Sequence, residues 1–313
     1  MGISEHMNKT RLWLVTLIIY FLISKSSFAL SKLGHQVVCQ LAFNHLSHNQ
    51  QIKITNLLVN IPKNHQDLIN HYNHRKKGAD ITFANACTWA DAIKRIEKFR
   101  IFAQWHYMNV PRDQLKINLN TCLKNCLPQA IIQHQQSLHK SLYQSTSPQI
   151  KPNKNTVNTK WQQTQSLLFL SHWLGDIHQP LHISFASDLG GNKIKLKKSA
   201  TKCRNLHGYW DQCILYRGKQ SKNQWLHLLT TKWDDVPIPN WQKEQVWQWA
   251  DESFQLVKQP SFQYCHLDEQ GACLKPNGKI MLSKNYLTRY QPVIEQRLLL
   301  AAKRLTKILE ATL

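Results

Sequence analysis

Acidic residues are scarce in this sequence. Its 313 residues carry 18 Asp and Glu against 40 Lys and Arg, a formal charge of +22 at pH 7. Such a field draws in polyanions by counterion release, so the partners it suits are nucleic acid or an anionic lipid or cell surface. Long apolar runs are also missing. The longest spans Leu12 to Ile23, too short for the roughly 20 residues that a membrane helix needs. No internal repeat of about 20 to 50 residues is evident, which sets aside repeat arrays. Strand signals are rare as well: only Asn192 to Lys197, after the Gly190-Gly191 turn, reads clearly as a strand, so a sheet-based fold is set aside in favour of helices with one small hairpin.

The chain opens on Lys9 and Arg11, then the short apolar run, then Ser27-Phe28-Ala29, the pattern of a cleaved signal peptide over residues 1–29. The mature protein is then expected to begin at Leu30, without a membrane anchor, in a periplasm or outside the cell. Removing Glu5, Lys9, Arg11 and Lys25 leaves it strongly basic, at +20. Eight cysteines in an exported chain fit disulfides better than reactive thiols. Spacing alone does not fix their pairing. Cys122 with Cys126 and Cys265 with Cys273 look like local clips, Cys203 with Cys213 would brace the segment around His207, and Cys39 with Cys87 then remain.

Residues 30–313 read as a single, mostly helical domain, near the upper size for one core. Leu33, Val37, Val38, Leu41 and Ala42 recur at helical spacing, Gln129 to Tyr143 forms another helix, and Trp161 to His182 is the central one, bent or ended by Pro180. Residues 144–154 read as an exposed loop, and Gln291 to Leu313 is strongly amphipathic. His45, His48, His65, His71 and His74 sit among Asn, Gln and Lys and read as solvated surface residues.

The chemistry concentrates between Ser171 and Asp211. His172 and Asp176 lie four apart, His182 follows, and His207 and Asp211 are again four apart, so each spaced pair projects from one face of a helix. Imidazole with carboxylate suits zinc, and the lack of any thiolate at these positions argues against an iron–sulfur cluster or a zinc finger. Five such groups exceed what one ion needs, which implies more than one metal. His35 lies close enough to the expected new terminus for the Leu30 amine and carbonyl to reach the same ion.

The segments LGH (Leu33–His35), TWAD (Thr88–Asp91), HYMNVP (His106–Pro111), HWLGDIHQPLH (His172–His182), GGN (Gly190–Asn192) and NLHGYWD (Asn205–Asp211) together resemble one family. It is the tri-zinc, single-strand-specific nucleases and 3'-nucleotidases known as the S-one/P-one nucleases, and the resemblance spans essentially all of residues 30–313. It implies a mainly α single domain of the phospholipase C and single-strand nuclease type, with three zinc ions at the bottom of a cleft. One zinc would be held by Asp91, His106, His172 and Asp176, and a second by His182, His207 and Asp211. The third would take the Leu30 amine and carbonyl and His35, with Asp176 bridging it to the first. The implied reaction is hydrolysis of phosphodiesters in single-stranded DNA and RNA, and of 3'-nucleotides, by a monomer that leaves 5'-phosphorylated products. Lys94 would stabilise the charged transition state, with Asp91 and Asp176 in the catalytic centre, and Tyr107 would stack a nucleobase. Three positions depart from the family pattern. Leu30 replaces a Trp, Asn109 an Asp that reads the base edge, and Gln212 an Asn that contacts phosphate. The alternatives are a zinc-dependent phospholipase C on the same fold and a basic, non-catalytic binding protein, which would be marked by lost ligands.

Overall fold

The computed structural model describes residues 30–122, 124–145, 154–197, 202–216 and 220–313. The expected signal segment and most of the expected loop after residue 144 lie outside the described residues. Among those described, eight α-helices have ten residues or more: α1 (Lys32–Asn44), α2 (His48–Leu58), α3 (Lys63–Tyr72), α4 (Leu127–Ser145), α5 (Lys154–Ile177), α6 (Lys222–Thr231), α7 (Gln245–Lys258) and α8 (Tyr286–Thr312). None is long and apolar enough to cross a membrane.

Local chemistry starts several of these helices. Ser31 caps α1 by accepting from the Gly34 amide, and Ser47 with Gln50 and Ser221 with Gln224 form reciprocal capping boxes on α2 and α6. Helix α5 is the axis of the molecule. Leu167, Leu168, Leu170, Trp173, Leu174 and Ile177 are all fully buried, so its second half is enclosed on every side, by α4, α8, α1 and α2 among others. It ends at Ile177, ahead of Pro180. The residues Pro180–His182 then form a separate 3-10 turn in which the Leu181 amide donates to the Gln179 side chain. The break expected at Pro180 is therefore an end, and His182 sits on the turn beyond the helix.

Two small sheets complete the fold. Strands β1 (Met108–Val110) and β2 (Ile183–Phe185) pair in parallel, while β3 (His266–Leu267) and β4 (Cys273–Leu274) form an antiparallel hairpin. The hairpin is therefore not at Asn192–Lys197. There Asn192 and Lys193 belong to a turn, and the stretch that follows joins its neighbours only by single bridges, Lys195 with Asn205 and Leu196 with Ile280. The four disulfides are Cys39–Cys87, Cys122–Cys126, Cys203–Cys213 and Cys265–Cys273.

One surface assignment is corrected. His65 is only 3 % exposed, and its Nδ1 accepts a hydrogen bond of 3.0 Å from the Trp89 indole. Its polar sequence neighbours concealed a partner that lies far away in the chain. His48, His71 and His74 are exposed; His45 is half-buried and stacks on Trp233.

Candidate metal centre

Six segments deliver eight buried His and Asp side chains to one place. Helix α1 brings His35, a short helix (Trp89–Ile93) brings Asp91, and the turn before β1 brings His106. Helix α5 brings His172 and Asp176, the 3-10 turn brings His182, and the segment Leu206–Cys213 brings His207 and Asp211. In that last segment one α-helical turn runs into a π-helical stretch, a distortion frequent at functional sites. All eight are essentially removed from solvent.

Asp176 is the hub. Its Oδ2 lies 3.0 Å from His106 Nδ1 and 3.3 Å from His172 Nε2, and its Oδ1 lies 3.4 Å from His35 Nε2 and 3.3 Å from His182 Nδ1. His35 and His172 stack with ring centroids 3.7 Å apart. Asp91 stands at 3.9 Å from both His106 and His172. His207 lies 3.2 Å from Asp211, and His182 3.5 Å from it. Three groups result that can each hold a metal ion: His35, Asp91 and His172; His106, His172 and Asp176; and His182, His207 and Asp211.

The backbone fixes the rings. The Nδ1 atoms of His172, His182 and His207 each donate at 2.7 Å to a carbonyl, of Cys87, His106 and Gly190 respectively, which leaves each Nε2 as the lone-pair face turned inward. Gly190 adopts φ +61°, and a Cβ there would meet the Leu181 carbonyl at 2.7 Å, so only glycine at this turn lets the Gly190 carbonyl reach His207. Gly175 plays a related part on α5: a Cβ would lie 2.6 Å from His35 Nδ1, so only glycine lets α1 bring His35 onto the centre.

Burial alone would raise the carboxyl pKa of Asp176, but His172, His182 and His106 outweigh it and hold the group well below the usual range. Asp91 and Asp211 are likewise held down against burial, by Lys94 and the histidines in one case and by His207 and His182 in the other. Burial, helped by His172, pushes His35 down to about 4, which keeps it a neutral imidazole. The donor set therefore consists of ionised carboxylates and ring nitrogens. His35 Nδ1 and Nε2, Asp176 Oδ1, His182 Nε2, His207 Nε2 and Asp211 Oδ2 are all buried with no hydrogen-bond partner. Such orphans cost roughly 1–3 kcal/mol each in a packed interior. Their concentration in one cluster is what divalent metal ions would relieve, so the residues fit the metals.

Two cavities open onto the cluster. One, of about 440 Å³, is lined by His207, Tyr107 and Asn109. Tyr107 is 39 % exposed, and the Asn109 Oδ1 is buried without a hydrogen-bond partner. The other, of about 560 Å³, is lined by Asp91, Lys94, Gln212 and Tyr72. Lys94 Nζ donates to Asp91 Oδ1 at 3.0 Å. Leu30 is buried, and its side chain fills the space above Gly34, while the next amide, of Ser31, donates to the Asp211 carbonyl at 2.9 Å.

Two supporting residues escaped the sequence reading. The Tyr72 hydroxyl donates to Asp91 Oδ2 at 3.0 Å, and the Gln179 amide donates to Asp211 Oδ1 at 2.6 Å. Gln179 had a signal, since it lies inside the histidine-rich motif; Tyr72 had none.

A family model described as S1/P1 nuclease matches residues 30–313. The chain belongs to the S1/P1 nuclease family. Its relatives include Endonuclease 3 of Arabidopsis thaliana, 27 % identical over 305 residues that cover 92 % of this chain and 90 % of the relative. Endonuclease 4 of the same plant is 27 % identical over 96 % of this chain and 94 % of its own length. Endonuclease 1 is 30 % identical over 72 % of this chain and 67 % of its own. As an S1/P1 nuclease the protein is a metal-dependent phosphodiester hydrolase that acts on nucleic acid.

Proposed function

We propose that the protein is an exported, zinc-dependent endonuclease that cleaves single-stranded DNA and RNA to 5'-phosphorylated products and also hydrolyses 3'-nucleotides. The observation that carries this reading is the set of buried, partnerless nitrogen and oxygen atoms around Asp176 and Asp211, opening directly onto a cavity walled by Tyr107 and Asn109. In it, residues 1–29 are removed and residues 30–313 act as a monomeric nuclease domain.

One zinc is assigned to Asp91, His106, His172 and Asp176, a second to His182, His207 and Asp211, and a third to His35, the Leu30 amine and carbonyl, and Asp176. Bound there, zinc supplies Lewis acidity, making water acidic enough to attack near neutral pH and offsetting charge on the phosphate. The remaining work falls to the chain. Asp176, common to two of these assignments, would be a ligand shared by both sites. Lys94, beside Asp91 at the mouth of its cavity, offers a cation to the extra negative charge of the transition state. Tyr107 offers an exposed ring face on which any unpaired base can stack, whereas a paired base is already stacked in its duplex. Asn109 and Gln212 offer amides, the first toward the base and the second toward the phosphate.

The test is hydrolysis by the mature, zinc-loaded protein of single-stranded DNA, single-stranded RNA and phosphatidylcholine, each with and without a zinc chelator. Chelator-sensitive release of 5'-nucleotides is expected. Chelator-sensitive cleavage of the lipid alone would move the same centre to a phospholipase C.

A further inference from the structure

The segment Asn192–Lys197 reads NKIKLK. Ile194 and Leu196 are buried, Lys193 and Lys197 are exposed, and Lys195 is half-buried. Its backbone is held on both edges. The Leu206 amide donates to the Ile194 carbonyl and the Leu196 amide to the Arg204 carbonyl, both at 3.0 Å, on one side. On the other, the Lys197 amide donates to the Ile280 carbonyl at 2.7 Å and the Ile280 amide to the Lys195 carbonyl at 2.9 Å. Lys193 closes the turn after Gly191, its amide donating to the Asp188 carbonyl at 3.0 Å, and Lys195 and Lys197 follow at alternate positions of the extended stretch, about 7 Å apart, so the three lysines lead in sequence away from the cavity.

That series starts at the centre. Lys193 and Lys195 line the same cavity as Tyr107, Asn109 and His207. Asp188, on the preceding turn, does not neutralise it, because this buried carboxylate is engaged by Arg112, Tyr264 and the Gly191 amide. Lys202, Arg204 and Lys279 are exposed on the two flanking chains and extend the same sign of charge. Like charges set close together repel, and a polyanion lying along them relieves that cost.

We infer that Lys193, Lys195 and Lys197 form a ladder that binds successive phosphates of a single-stranded polynucleotide, beside the nucleotide whose base rests on Tyr107. This rests on the nuclease reading of the metal centre. The ladder is pre-ordered by its backbone bonds, so little entropy is lost when the strand binds. It makes long strands better substrates than short ones, and it makes their binding depend on salt.

The experiment compares the zinc-loaded wild type with the triple variant Lys193→Gln, Lys195→Gln and Lys197→Gln. A matched control removes the same charge elsewhere, at the exposed Lys116, Lys124 and Lys243. For each protein, kcat/KM is measured on a dinucleotide and on a single-stranded oligonucleotide of a dozen residues across a salt series. Each phosphate contact on a single strand contributes about 0.7 to the slope of log affinity against log salt. The ladder variant should therefore lose about 2 from the slope on the oligonucleotide, and lose more activity on the oligonucleotide than on the dinucleotide. An unchanged slope, an equal loss on both substrates, or the same slope change in the control would overturn the ladder while leaving the nuclease reading intact. Failure of the wild type to cleave any nucleic acid would overturn both.

Discussion

Cys39 and Cys87 are bonded to each other, four residues after His35 and four residues before Asp91. The Cys87 carbonyl in turn accepts from the His172 ring. One covalent link thus ties together the elements that present His35, Asp91 and His172, a group that can hold a metal ion. Replacing both cysteines by Ala should cost about 4 kcal/mol of stability by the chain-entropy estimate for a loop of 48 residues. It should also weaken metal retention, measured as zinc remaining after dialysis against a graded chelator. Unaltered retention in a destabilised variant would confine the bond to a structural role.

Gly175→Ala tests the close approach of α1 to α5. In an ordinary helix this change stabilises by up to about 1 kcal/mol. Here the new methyl would meet His35 Nδ1 at 2.6 Å, so the ring must shift. We expect lower metal content with helical content preserved by circular dichroism. A full complement of metal in the variant would contradict the tight packing of His35.

Asp176→Asn should be the most damaging single substitution in the centre. The side chain keeps its shape but loses the charge that faces His35, His106, His172 and His182. Metal content measured by elemental analysis should fall by more than for His207→Asn, and turnover should fall by at least the roughly 10²- to 10³-fold that loss of one transition-state donor costs. Near-normal turnover would remove Asp176 from its central position.

Tyr107→Ala should raise KM for single-stranded substrates by about 5- to 150-fold, the equivalent of about 1–3 kcal/mol of lost stacking. Tyr107→Phe should retain most of the affinity. Equal behaviour of both variants would assign the effect to the hydroxyl instead of the ring face.

His134 gives an acid limit to stability. It is buried beside Phe102, Trp105 and Phe169, and burial pushes its pKa from 6.5 down to about 4. Between those values the unfolded chain takes up a proton that the folded chain refuses. Stability should therefore decline as pH drops from about 6.5 to about 4, by up to about 3 kcal/mol from this residue, and level off below. His134→Gln should flatten the profile in that window, as read by chemical denaturation at several pH values. An identical profile would assign the decline to other groups.

The parts of the molecule that were legible in the sequence are those written in local spacing. His172 with Asp176 and His207 with Asp211 announce their shared face in a four-residue interval, and the close spacing of Cys122 with Cys126 and of Cys265 with Cys273 suggests local clips without fixing them. The burial of His65 depends on Trp89, and the support of Asp91 depends on Tyr72; both are tertiary facts with no local trace. The hairpin was misplaced for a similar reason. Alternation in NKIKLK marks the second half of the segment as extended, while Asn192 and Lys193 close a turn, and which neighbours the extended part pairs with is decided by Arg204, Asn205 and Ile280.

The parallel pairing of β1 with β2 sets Met108 opposite Ile183, so the chain just after His106 is locked in register with the chain just after His182. The separation of these two imidazoles is thereby made independent of how much chain intervenes. Insertions or deletions in the chain between the two strands, outside the elements that carry ligands, are expected to leave the centre undisturbed. A single residue added within either three-residue strand would instead turn the following side chains to the opposite face. A change of length should thus be tolerated between the two strands and not within either of them.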